Sequence, residues 1–330
     1  MIPACKPRWL VISVLLLLTA PLGAQKVRLL ELQGQVRPEP QVRGESLKAF
    51  VRLSSVSEPY AANTWSDSKG RFKFSNLRPG TYNLYISHPK GSEEHKTIEV
   101  TPSFANARGI VTTTITLKGV DARASTFAQS TVGVRELSIP AAAHREFARA
   151  NQQLKKRDLK GAIRHLEKSV ALAPQYVEAL NQLGTIYYQT RDYARAEQYF
   201  KEALAQDPAA FAPLVNLGGT MISLGRYVEA LPINRRAVAA QADDALANSQ
   251  LGMCYMAIGK YEEARTYLSK AKALDPGHFS LPQLSLAEIY LHEGLKQSAL
   301  RELEDFVTRH PDSPLTDQVR ERIAPLQSEK

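Results

Sequence analysis

The stretch that decides the fold is Leu183-Gly184-Thr185-Ile186-Tyr187, followed by Ala196, Phe200 and Pro208. It returns 34 residues on as Leu217-Gly218, Ala230 and Ala237, and again as Leu251-Gly252-Met253-Cys254-Tyr255, Ala264, Leu268 and Pro276. Gly184, Gly218 and Gly252 thus stand 34 apart, as do Ala162, Ala196, Ala230 and Ala264. A fixed period of this length marks stacked units, none of which buries its apolar face alone. Within each period Thr190-Arg191-Asp192, Leu224-Gly225-Arg226 and Ile258-Gly259-Lys260 read as turns between two helices. The glycines are natural helix C-caps, and Pro174, Pro208, Pro276 and Pro311 end the second helices because proline cannot continue one.

The small residues have a steric reading. Glycine inside a helix costs about 0.5–1 kcal/mol relative to alanine, so its recurrence at one place implies close backbone approach. The predicted pairs are Ala150 with Ala162, Gly184 with Ala196, Gly218 with Ala230, Gly252 with Ala264, and Ala287 with Ala299. Leu183, Tyr187, Tyr193 and Phe200 then fill the next layer of one unit, and Leu251, Tyr255, Tyr261 and Leu268 that of another. Taken together, these residues resemble the tetratricopeptide repeat. The resemblance implies an all-α solenoid of five repeats over residues 140–311, closed at 312–330 by a capping helix with Leu315, Val319 and Ile323 on its covering face. The first repeat departs from the pattern at Glu146, Arg149 and Ala150, the third has Ala242 in place of proline, and the fifth follows an extra residue near Gly277.

The resemblance also implies a concave surface that takes a peptide or partner helix. Carried over, that surface is lined by Asn151, Leu154, Asn181, Gln182, Tyr188, Asn216, Ile222, Gln250, Met253 and Met256. The amides suit an extended backbone, as donors and acceptors both, and the two methionines offer adaptable apolar contact. The basic clamp with which some such proteins hold a terminal carboxylate is missing, since Phe147 and Gln182 occupy its places.

Residues 25–118 read differently. Short alternating runs, Val27 to Val36, Leu47 to Leu53, Arg71 to Phe74, Tyr82 to Ile86 and Val111 to Leu117, are separated by Asp67-Ser68-Lys69-Gly70 and Arg78-Pro79-Gly80. Alternation with Gly, Pro and Asp turns predicts strands. The run Thr64-Trp65-Ser66-Asp67-Ser68-Lys69-Gly70-Arg71-Phe72-Lys73-Phe74, leading into Leu77-Arg78-Pro79-Gly80-Thr81-Tyr82, resembles the carboxypeptidase regulatory-like domain. That implies a transthyretin-like all-β sandwich of about seven strands, some relatives of which bind carbohydrate. Trp65 and Tyr60 are aromatic faces on which a sugar could stack, although filling or flanking the core is the stronger expectation. Residues 119–139, rich in Ala, Ser, Thr and Val, read as a linker.

Export is expected. Lys6 and Arg8 precede an apolar run from Trp9 to Ala20, and Leu22-Gly23-Ala24 offers a cleavage site, the anatomy of a secretory signal peptide over residues 1–24. Its loss removes Cys5 and any membrane span, leaving Cys254 as a single buried thiol with no disulfide to make. Of the net charge of +9, residues 25–139 hold 16 basic and 10 acidic side chains, and residues 140–330 hold 24 and 23. The basic excess lies in the front domain, where an anionic envelope surface is a better match than nucleic acid.

No catalytic constellation appears. His88, His95, His144, His165, His278, His292 and His310 show no metal-ligand spacing, and no phosphate loop or nucleophile elbow is present. The expectation is a non-enzymatic periplasmic or secreted scaffold that needs no cofactor or metal and binds a protein or peptide through the repeats. The alternative is glycan or envelope binding through the sandwich.

Overall fold

The computed structural model describes residues 28–39, 48–88, 93–118 and 138–328. The expected leader with Cys5 and the linker as far as residue 137 lie outside the described residues.

Seven strands precede the helices: β1 (Leu30–Glu39), β2 (Phe50–Ser55), β3 (Ala61–Trp65), β4 (Arg71–Leu77), β5 (Gly80–Ser87), β6 (Glu93–Val100) and β7 (Ile110–Lys118). They form a three-stranded sheet in the order β4-β1-β7 and a four-stranded sheet in the order β3-β2-β5-β6. All pairings are antiparallel except β1 with β7. Strand side chains alternate between faces. Leu32 and Val36 of β1, Val51 and Leu53 of β2, Leu84 and Ile86 of β5, and Ile115 and Leu117 of β7 therefore meet in one core between the sheets. Gly34 leaves room for Phe72: a Cβ on it would lie 2.0 Å from the end of that ring.

Glu93 and Glu94 open strand β6, whose alternating burial is confined to the end with Ile98 and Val100. A charged sequence at a sheet edge carries little strand signal, and charge there also discourages pairing with another chain. Trp65 is 58% exposed and flanks the core, whereas Tyr60 is buried within it, edge-on to Tyr82.

The helices are α1 (Ala141–Lys155), α2 (Leu159–Leu172), α3 (Val177–Gln189), α4 (Tyr193–Gln206), α5 (Phe211–Ser223), α6 (Tyr227–Ala240), α7 (Ala245–Ala257), α8 (Tyr261–Leu274), α9 (Pro282–His292), α10 (Lys296–Arg309) and α11 (Thr316–Ser328). Among the described residues no helix is long and apolar enough to cross a membrane. Successive helices pair as hairpins, and α11 lays Val319, Leu315, Ile323 and Leu326 over the apolar end around Leu303 and Phe306. Each hairpin turns on a left-handed residue: Arg157, Arg191, Gly225, Gly259 and Gly294, with φ of 60°, 64°, 73°, 76° and 75°. Glycine takes this conformation without the Cβ clash that other residues suffer.

The repeat glycines sit inside the first helix of their pairs, facing the second. Their neighbours are not the paired alanines alone. A Cβ on Gly184 would lie 2.5 Å from the Phe200 ring, and one on Gly252 would lie 2.6 Å from Leu268 Cγ and 3.1 Å from the Ala264 carbonyl oxygen. The glycine thus makes space for the large side chain one turn beyond the alanine. At Gly218 the same place is taken by Asn234, whose Oδ1 would be 1.9 Å from a Cβ.

Asn234 is fully buried and donates through Nδ2 to Cys254 Sγ at 3.3 Å, while its Oδ1 accepts nothing. A buried acceptor without a donor costs about 1–3 kcal/mol. Asn234→Leu, which copies the fourth repeat, is expected to stabilise the protein by about that amount in denaturant unfolding. Burial also pushes the Cys254 thiol up to about 11, despite the Asn234 contact that opposes the shift. At pH 8 a thiol reagent is therefore expected to leave Cys254 unmodified in the native protein and to modify it after unfolding, as read by peptide mass spectrometry.

Candidate partner-binding site

The first helices of the repeats form one layer of the solenoid. Helices α3, α5, α7 and α9 each touch the next in that series, whereas the second helices do not come as close to one another. Tighter spacing on one side curves the stack, so the first helices line its concave face.

Most residues expected on this face are partly buried there: Asn151 on α1, Asn181, Gln182 and Tyr188 on α3, Asn216 and Ile222 on α5, Met253 and Met256 on α7. Two are not available. Leu154 is 1% exposed, within the core of the first repeat, and Gln250 is 7% exposed, its side chain folded against Gly219. Helical periodicity places both near the inner face, but the apolar core takes Leu154 and the preceding repeat, at Gly219, covers Gln250.

The partly buried amides bond to each other from repeat to repeat. Asn216 Nδ2 donates to Asn181 Oδ1 at 2.9 Å and, less closely, to Thr185 Oγ1 at 3.4 Å. Tyr188 and Ser223 hydroxyls lie 3.1 Å apart. The concave face is therefore a hydrogen-bonded strip running across α3 and α5, with apolar surface from Met253 and Met256 beyond it. Burial raises the Tyr188 phenol above its ordinary value, so this hydroxyl stays protonated and able to donate.

The β-sandwich meets this face. Strand β3 touches α1, Arg52 of β2 donates to Gln182 Oε1 at 3.0 Å, and Gln189 Nε2 donates to the Ser55 carbonyl at 2.8 Å. Nearby, Arg157 lies over the Tyr60 ring at 4.5 Å and pairs with Glu58 at 3.4 Å. Burial between the domains pushes the Arg52 guanidinium below its ordinary value. At the far side of the same sheet, the Thr97 amide donates to Asp275 Oδ2 at 2.9 Å. Thr101 Oγ1 and Ser103 Oγ donate to Asp312 at 2.6 and 2.7 Å, and the buried His310 pairs with Glu99. These hydroxyl bonds hold the Asp312 carboxyl below the usual range against the opposing effect of its burial.

None of these side-chain contacts has a signal in the sequence, because the partners are 97 to 211 residues apart. Arg157 alone stands at a marked position, the left-handed turn of the first repeat.

Residues 147–211 match one tetratricopeptide-repeat model, and residues 189–251 and 221–283 match a second. The chain is 29% identical over 123 residues to the BBSome complex member BBS4 of Bos taurus, covering 37% of this chain and 24% of that protein. It is 30% identical over 105 residues to the Hsp70-Hsp90 organising protein of Plasmodium falciparum, covering 32% of this chain and 41% of the relative. The chain thus spans well under half the length of either relative. A solved structure of PilW, described as a widely conserved type IV pilus biogenesis factor, superposes with a TM-score of 0.51 at 20% identity over 57% of this chain and 87% of PilW. Residues 147–283 thus match tetratricopeptide-repeat models, and the paired helices, left-handed turns and glycine contacts give the helical part the fold of a tetratricopeptide-like solenoid, carried behind an N-terminal β-sandwich.

Proposed function

We propose that the chain is a non-enzymatic, exported scaffold that takes a protein or peptide partner on the concave face of its repeats. The observation that carries this reading is the strip of amides and hydroxyls on α3 and α5, from Asn181 through Asn216 to Tyr188 and Ser223. Such groups trade hydrogen bonds with a peptide backbone without demanding a particular sequence. Tetratricopeptide proteins bind protein partners, and the Plasmodium relative is named for the two chaperones it organises. Export to the periplasm or outside the cell is supported by the charged-then-apolar leader.

The test is Asn181→Ala with Asn216→Ala in the full chain, followed by partner recovery with purified protein. Helical content should be kept and recovery should fall at least about fivefold, since two lost hydrogen bonds are worth about 1–3 kcal/mol together. Recovery at the parent level, with the fold intact, would exclude the concave face.

A second reading has its own observation. The outer face of the β4-β1-β7 sheet carries cross-strand polar rows, Lys73-Gln33-Thr112 and Arg71-Gln35-Thr114, beside the exposed Trp65. Together they line an open depression of about 650 Å³. An aromatic face next to hydrogen-bonding side chains suits a sugar ring. This reading treats the front domain as a carboxypeptidase regulatory-like module directed at glycan. On a glycan array the full chain should give signals that Trp65→Ala lowers about five- to tenfold, and a blank array for the parent protein would remove the reading.

A further inference from the structure

The four-stranded sheet crosses the concave face in strand order. Edge strand β3 lies against α1, β2 reaches α3 through Arg52 and Ser55, and the opposite edge β6 reaches the ends of α8 and α10 through Thr97 and Glu99. Arg52, between Val51 and Leu53, and Glu99, beside Ile98, use side chains that alternate away from the sandwich core, whereas Ser55 and Thr97 use their backbones. One edge of the solenoid is held at the turns of repeats one and two, by Arg157 and Gln189. The other is held at the ends of the second helices of repeats four and five, by Asp275, His310 and Asp312.

We propose that the sandwich is a built-in occupant of the concave face, and that a partner reaches Gln182 and its neighbours only when the sandwich is released. The regulation rests on the partner-binding reading given above, but the covering itself does not. The side-chain contacts described above are hydrogen bonds, ion pairs and one cation over a ring. No apolar cluster among the described residues contains side chains from both domains: one is confined to the sandwich and four to the solenoid. Interfaces of this kind hold by matched hydrogen bonds and ion pairs, lack the large apolar area of a permanent junction, and separate readily. Meanwhile the amides and the carboxylates satisfied by the sandwich are those an incoming backbone or hydroxyl would use. Ser55 presents a carbonyl to Gln189, and Thr97 presents an amide to Asp275, as an extended peptide would.

The experiment needs no partner. In the full chain with Cys5→Ser, a single Gln182→Cys reporter is labelled with a polyethylene-glycol maleimide, and Lys201→Cys on the outer helix α4 serves as the open control. The reporter at 182 should label at least about tenfold more slowly than the control, because labelling must await local opening. Adding Asp312→Ala with Glu99→Gln should bring its rate to within about twofold of the control. Amide exchange at Thr97 gives an independent reading: protected in the parent, and exposed in the released variant. Equal labelling of the two reporters in the parent protein would overturn the proposal. So would slow labelling at 182 in a released variant whose Thr97 amide exchanges freely. If the released variant fails to fold, the Thr97 amide of the parent decides, since exchange there at the rate of an unstructured peptide is incompatible with the contact. Failure of the Asn181 and Asn216 variant to lose partners would sink the binding reading and leave these rates unchanged.

Discussion

A glycine beneath a large side chain, recurring along the stack, is the contact on which the rest of the molecule depends. Gly184 under Phe200 and Gly252 under Leu268 let the two helices of a repeat approach until the large residue fills the space a Cβ would need. Both large residues are fully buried. Closeness within each hairpin fixes the angle at which the next hairpin stacks, and in a solenoid each unit is stabilised by its neighbours alone. The curvature, the inner layer of first helices and the position of the amide strip all follow from that repeated geometry. The third repeat is the exception in chemistry, with Asn234 in the large residue's place, and it lies midway along the stack, where any loss of rigidity changes the relation between the two ends.

The sandwich and the solenoid are joined by contacts of another kind. Each domain closes its own apolar core, so the bonds between them are hydrogen bonds and ion pairs added to two separately completed folds. Arg52 illustrates the balance. It is held between the sheet and α3 with an amide oxygen as its partner and no carboxylate acting on it. Desolvating a guanidinium without an opposing charge is costly, which sets a limit to how firmly this end of the interface can hold. At the other end Asp312 accepts two hydroxyls and an amide, a better-satisfied arrangement. An interface anchored firmly at one edge and weakly at the other suits a domain that swings more easily than it detaches.

The periodic parts of this architecture were legible in the sequence. The 34-residue spacing locates the helix pairs, and the turns at Arg191, Gly225 and Gly259 mark where they reverse. Alternation locates the strands with clear apolar faces, such as Tyr82-Asn83-Leu84-Tyr85-Ile86. Strand β6 was not legible, because Glu93 to Lys96 are charged and only Ile98 and Val100 repay burial. Leu154 and Gln250 show a second limit. Periodicity gives the direction a side chain leaves its helix, but its packed neighbours decide whether that direction is open. Trp65 shows a third, since an aromatic residue in a strand reads as core or as its flank, and its exposure depends on which sheet edge it occupies. The docking of the sandwich lay beyond any local pattern, because it joins positions such as Thr101 and Asp312 that only the completed fold brings together.

The central claim is steric, and a double-mutant cycle at Gly184 and Phe200 measures it most directly. On helix propensity alone, Gly184→Ala should stabilise the protein by about 1 kcal/mol. If the missing Cβ is what admits the Phe200 ring, Gly184→Ala will instead destabilise by about 1–3 kcal/mol. Phe200→Leu, which provides space for the new methyl, will then recover at least about 1 kcal/mol of that loss as a coupling energy. A stabilising Gly184→Ala whose effect simply adds to that of Phe200→Leu would contradict the account.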